Sequence, residues 1–241
     1  MGSFGILLKG ELQRMLRYHI LGAGFVVAVI WLVVLHFTEV IGVATMLPLL
    51  LFFDATSMSI ILIGVTLFFE KQEGTIRSLQ VSPINRPEQI LAKIGGNILT
   101  NVQTLVIVYL YAWFFKEIDL SFMGLLLAVI IVGLFHSLVG FLLTYRARGF
   151  TELLMGMFVY FFAFMFPVVF EQIGLIQNEI ATGIMYILPT KASLILLNSA
   201  GGGMETWEIL FSAFYLLAAS AVLLYFVLKK FNEFALKESG V

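Results

Sequence analysis

The chain has 241 residues, of which 61% are hydrophobic and only 12% charged, with a mean hydropathy of +1.03. A soluble domain carries roughly 25% charge, so this chain has too few charges to cover a water-facing surface, and its composition suits an exterior that faces lipid. High apolar content excludes disorder, a net charge of −1 argues against a general nucleic-acid binder, and the absence of cysteine removes disulfides, thiolate metal sites and a cysteine nucleophile.

In chain order, residues 1–19 come first. Phe4, Leu7, Leu8, Glu11, Leu12, Met15 and Leu16 recur at helical spacing, with Lys9, Arg14 and Arg17 mostly elsewhere. This pattern predicts a helix lying in the membrane interface. Six runs follow that are long and apolar enough to cross about 30 Å of hydrocarbon as helices. They cover approximately 20–38, 46–69, 93–115, 122–144, 150–170 and 208–228. The first run is longer than the core of a secretory signal, which spans roughly 7–15 residues, and is read as a retained span. Alternating ten-residue strands are missing, which argues against a transmembrane barrel. The expected fold is an all-α integral membrane protein with a single transmembrane domain over 1–241. Twelve of the fourteen Lys and Arg fall on one side of such a bundle and two on the other. Cytoplasmic loops carry the basic excess, so both termini are expected in the cytoplasm of a cell-membrane protein.

Within the spans, polar residues are costly and are functional candidates by default. Asp54 is the only acidic residue well inside one. It would face a pathway, pair with a neighbouring helix, or lie near enough to the outer surface to be hydrated. Asn97, Asn101 and Thr104 share one face of the third span. Interhelical hydrogen bonding is the favoured account, and a polar pathway stripe is the alternative. His136 reads as a packing residue rather than a proton carrier. The fifth span runs FVYFFAFMFPVVF from Phe158, and aromatic faces such as Phe161 and Phe164 are candidates to guide an apolar or amphipathic substrate, with lipid-facing filler as the alternative. Pro167 is expected to kink its outer end. The external connection from about 171 to 200 contains an apolar stretch too short and interrupted to cross, which reads as re-entrant. Gly201, Gly202 and Gly203 read as a joint before the last span.

Residues 70–93 read EKQEGTIRSLQVSPINRPEQILAK. Gly74 ends the second span's helix. Thr75 can cap a short new helix of about 75–82, which Ser82-Pro83 stops. Asn85-x-x-Glu88 has the form of a capping box, with Pro87 in the first turn. The product is a short cytoplasmic helix held across the mouth of two spans.

These residues resemble the permease subunits of type-2 ATP-binding-cassette (ABC) exporters, whose pattern is approximately E-(K/R)-x-x-G-T-x-x-x-L-x-x-x-P followed by E-x-x-x-x-K. Glu70, Lys71, Gly74, Thr75, Leu79, Pro83, Glu88 and Lys93 match it, and Ala92 stands where glycine is usual. The resemblance also covers the interfacial helix, the six spans and the long external connection. It implies that 75–82 is a coupling helix seated in a separate ABC ATPase, with Glu70, Glu73 and Arg77 as candidate contacts and Gly74, Thr75, Leu79 and Pro83 shaping the segment. It further implies a dimer of permeases enclosing the pathway, and a drug, antibiotic or other amphipathic substrate. Such a chain carries no cofactor, and ATP and Mg belong to the partner. Consistent with this, no G-x-x-x-x-G-K-[ST] occurs.

Two other classes remain open from sequence. An ion-driven secondary transporter or channel often shows internal repeats around midplane ion sites, and none is visible. A membrane-embedded lipid- or peptide-modifying enzyme would need converging catalytic groups, and neither H-E-x-x-H nor G-x-S-x-G occurs.

Overall fold

The computed structural model describes residues 3–76 and 85–236. Among these, every regular element is helical. Lipid offers no hydrogen-bond partner to a backbone, so an apolar chain that crosses it must satisfy its own amide groups, and the helix does this within one segment. The N-terminal helix α1 (Ser3–Arg17) is followed by α2 (Ile20–Phe37), which is span one. His19, in the left-handed region at φ 56°, turns the chain between them.

Span two is built from α3 (Val40–Phe53), a π-helical turn (Asp54–Met58) and α4 (Ser59–Gln72). Span three is α5 (Arg86–Lys116) and span four is α6 (Phe122–Arg146). Span five is α7 (Phe150–Tyr160), a second π-helical turn (Phe161–Met165) and α8 (Phe166–Gln172). Two short helices, α9 (Glu179–Met185) and α10 (Pro189–Asn198), meet at a bend of 95° and precede α11 (Thr206–Leu236), span six. Among the described residues six helices are thus long and apolar enough to cross a membrane, and the protein is a multi-pass, all-α membrane protein.

Several helices outrun the apolar segments that mark them. Span three starts at Arg86 and has 31 residues, about 46 Å at 1.5 Å per residue, which exceeds the hydrocarbon thickness. The hydropathy pattern therefore marks the lipid-crossing part only. Similarly, the first connection is shorter than the expected 38–45, because the helix resumes at Val40. The expected capping box is absent, since the Asn85 side chain makes no capping bond. Proline in the first turn already removes one of the donors such a box would satisfy. Instead of a loose triple-glycine joint, Ser199–Gly201 form a 3-10 turn, and only Gly202 and Gly203 take positive φ.

Span four lies at the centre, packed against spans two, three and six. A side chain at Gly140 would come within 3.0 Å of the Ile60 carbonyl oxygen. Small residues at such crossings allow the backbone approach that substitutes for a hydrophobic driving force in lipid. By contrast, span one leaves Phe25, Val26, Ile30 and Val33 exposed. Its last carbonyls, of His36 and Thr38, accept from the ammonium of Lys116 at 3.0 and 2.8 Å, which satisfies groups a helix terminus leaves open.

Candidate functional site

The two outermost charges of the 70–93 segment meet in space. Glu70 ends span two and Lys93 begins the apolar part of span three, and the antiparallel course of the two helices brings Lys93 Nζ to 2.6 Å from Glu70 Oε1. The same ammonium lies 2.8 Å from Glu11 Oε1 on α1. Arg14, one turn further along α1, pairs with both Glu11 and Glu70. Two carboxylates and two cations from three helices thus form a neutral cluster. Glu70 and Lys93 are 5% and 7% exposed, and charges that deep in protein persist only when paired.

What lets α1 approach so closely is again the absence of side chains. A Cβ at Gly95 would meet Leu8 at 3.2 Å and one at Gly96 would meet the Met15 sulfur at 3.0 Å. The glycine pair on span three is the floor on which the apolar face of α1 lies, with Glu11 turned toward Lys93. From Glu70 the chain runs through exposed Glu73 to Gly74, whose φ of 71° is favourable only without a side chain. Thr75 and Ile76 then begin a helix, with Ile76 buried. Arg77, Leu79 and Pro83 lie outside the described residues, as does most of the expected 75–82 helix.

Of the candidate pathway residues, Asn97 borders this junction, sharing a small cavity with Glu11, Arg14 and Lys93, and the others lie further along the spans. Asp54 is 3% exposed and opens the π-helical turn of span two, against Trp31 of span one and Thr104 of span three. Asn97 Nδ2 donates to Ser137 Oγ at 2.7 Å and to the Ser59 carbonyl at 3.2 Å. Asn101 Nδ2 donates to Ser59 Oγ at 2.7 Å. Both are therefore tied within one subunit, between spans two, three and four. His136 is fully buried and bonded to the Val132 carbonyl of its own helix. Phe161 and Phe164 fall on the π-helical turn of span five. Phe161 packs on the core, while Phe164 is partly exposed and stacks on Tyr160 with ring centroids 5.0 Å apart.

The two π-helical turns face each other. Ser57 directs its hydroxyl at the Met165 sulfur from 3.4 Å, and the Thr56 Oγ1, which donates to the Phe52 carbonyl at 2.6 Å, lies 3.5 Å from the same sulfur. Wide turns of this kind are uncommon and concentrate at functional positions. Among the described residues no His, Asp and Glu side chains gather as a metal site.

The profile of the Fluoroquinolones export permease protein family matches residues 3–239, nearly the whole chain. The chain belongs to that family. It is 25% identical over 236 residues to the fluoroquinolones export permease proteins of two Mycobacterium tuberculosis strains, CDC 1551 / Oshkosh and ATCC 25618 / H37Rv. The match covers 97% of this chain and 97% of each relative. The family is one of export permeases, in line with the resemblance carried by residues 70–93.

In this permease, sequence reasoning missed the parts played by Glu11 and Arg14. A signal was present. Glu11 interrupts an otherwise apolar helix face, and Arg14 follows at a spacing that shares it. A carboxylate on a face destined for burial needs a cation, and Lys93, placed just inside span three, is the one the fold supplies.

Proposed function

We propose that the chain is the membrane-spanning subunit of an ATP-driven exporter, working as a permease dimer with a separate ABC ATPase. The basic end faces the cytoplasm of a cell membrane, and residues 70–92 meet the ATPase there. ATP and Mg are bound by that partner, and the substrate is a fluoroquinolone or a similar amphipathic drug. The observation that carries this reading is the cluster of Glu11, Arg14, Glu70 and Lys93. It clamps both ends of the cytoplasmic connection to each other and to α1, so force applied to the connection reaches spans two and three and the N-terminal helix together. A transporter that spends ATP needs such a linkage, because the nucleotide must favour one conformation over another.

The test is purification of the tagged chain from its native membrane in mild detergent, followed by labelling with a photoreactive ATP analogue. A labelled partner in stoichiometric amount is expected, and its loss when 74–83 are replaced by a Gly/Ser linker of equal length in a chain that still inserts and folds. A chain that purifies alone, binds no nucleotide-labelled partner and still moves drug would overturn the reading.

A further inference from the structure

A cavity of about 690 Å³ lies at the basic end, between α1, the start of span one and the last turns of span two. Its volume suits a small-molecule site. One wall is apolar, made by Ile20 of span one and Leu62, Val65 and Phe69 of span two. The lining is also charged in both signs, with Arg14 and Arg17 from α1 and Glu70 and Glu73 from the end of span two, Arg14 and Glu70 being paired with each other.

These charges are not all spent on one another. Arg17 and Glu73 enter no ion pair among the described residues. The second carboxylate oxygen of Glu70, which is 5% exposed, has no hydrogen-bond partner, and neither has the buried Nε of Arg14. Both of those atoms belong to side chains already held in the ion cluster, so the charges left free on the cavity lining are those of exposed Arg17 and Glu73. A purely anionic guest would leave Glu73 unmet and would crowd it, while a purely cationic one would do the same to Arg17. An apolar body bearing one anionic group and one ammonium matches the apolar wall and meets both free charges through charge-assisted bonds.

We propose that this cavity binds a zwitterionic amphipath at the cytoplasmic leaflet, with its anion on Arg17 and its ammonium on Glu73. This deepens the transport reading and rests on it for the leaflet. Two sources share the chemistry, a zwitterionic drug and an aminophospholipid. Occupancy would also be felt by the ATPase connection, because Glu73 and Thr75 line the cavity and open that connection.

The test is equilibrium binding to the purified full-length chain, without nucleotide, so that it is independent of whether an ATPase partner exists. The probes are norfloxacin, which carries a carboxylate and a ring ammonium, and its methyl ester, which keeps only the ammonium. Short-chain phosphatidylethanolamine and phosphatidylglycerol serve as competitors. Arg17→Gln and Glu73→Gln remove exposed, unpaired charges and are each expected to weaken norfloxacin about tenfold. The ester is expected to respond to Glu73→Gln but not to Arg17→Gln. Norfloxacin binding that neither lipid displaces assigns the site to drug. Displacement by phosphatidylethanolamine alone, with that lipid depleted from preparations of both variants, assigns it to lipid. Both results support a zwitterion site. Binding of either probe that changes less than twofold in both variants, equal displacement by the two lipids, or no binding of norfloxacin or phosphatidylethanolamine overturns it.

Discussion

At the basic end, Glu11, Arg14, Glu70 and Lys93 come from three helices far apart in sequence and meet around a buried Glu70–Lys93 pair, with Glu11 and Arg14 half-buried at its edge. At the opposite end, Lys191 of α10 holds both oxygens of Glu171 at the end of span five, at 2.6 and 2.7 Å, and lies over the Tyr186 ring. Tyr186 in turn donates to Glu208 at the start of span six. Both ends use ions as fasteners, but they fasten different things. The set at the opposite end ties short helices to the rims of their own neighbouring spans, through one carboxylate–ammonium pair rather than a four-membered network. The inner set joins α1 to two spans at the root of the connection that is proposed to meet the ATPase. An element proposed to pass on force needs a junction that is costly to open.

Substitutions can break this contrast in graded fashion. The largest loss of stability is expected from Glu70→Gln or Lys93→Met, about 3–5 kcal/mol each, because either leaves the half-buried cluster with one uncompensated charge. Denaturant unfolding in detergent micelles checks this, and a loss no greater than that at the opposite end would erase the distinction. Next is Gly140→Leu, about 1–3 kcal/mol, which forces span four away from the Ile60 backbone and tests whether the centre is as unyielding as the inner junction. Lys191→Met at the opposite end is expected to cost about 1 kcal/mol, since this is a single carboxylate–ammonium pair rather than a network.

The smallest change, a few tenths of a kcal/mol at neutral pH, is expected from Tyr186→Phe. The hydrogen bond to Glu208, and then burial, push the Tyr186 hydroxyl up to about 12. Its contribution to stability is whole below the ordinary tyrosine value of about 10 and disappears as pH rises through about 12. The difference between the ultraviolet titrations of wild type and variant should isolate this one late-ionising tyrosine.

Much of the bundle was legible because lipid imposes one rule on every span, namely twenty or so apolar residues with their backbone bonds closed internally. The bent pair α9–α10 was visible in the same way, as an apolar stretch too short to cross. The inner cluster was legible only in part. Glu70 and Lys93 stood out as the ends of a motif, but their meeting with Glu11 and Arg14 depends on how α1 lies on Gly95 and Gly96, a long-range contact that local spacing does not encode. The π-helical turns left no trace in hydropathy, because a change of hydrogen-bond register alters no residue type. Asn85 and Glu88 had the form of a cap that the structure does not make, since Pro87 starts the helix without it.

The most direct test of the inner junction as a transmission element is the ratio of drug moved to ATP hydrolysed by the reconstituted permease–ATPase complex carrying Lys93→Met. The account predicts a complex that still assembles and hydrolyses ATP while transport per ATP falls about tenfold or more, equivalent to about 1.4 kcal/mol of lost coupling. An unchanged ratio, whether both activities persist or both decline together, would contradict it.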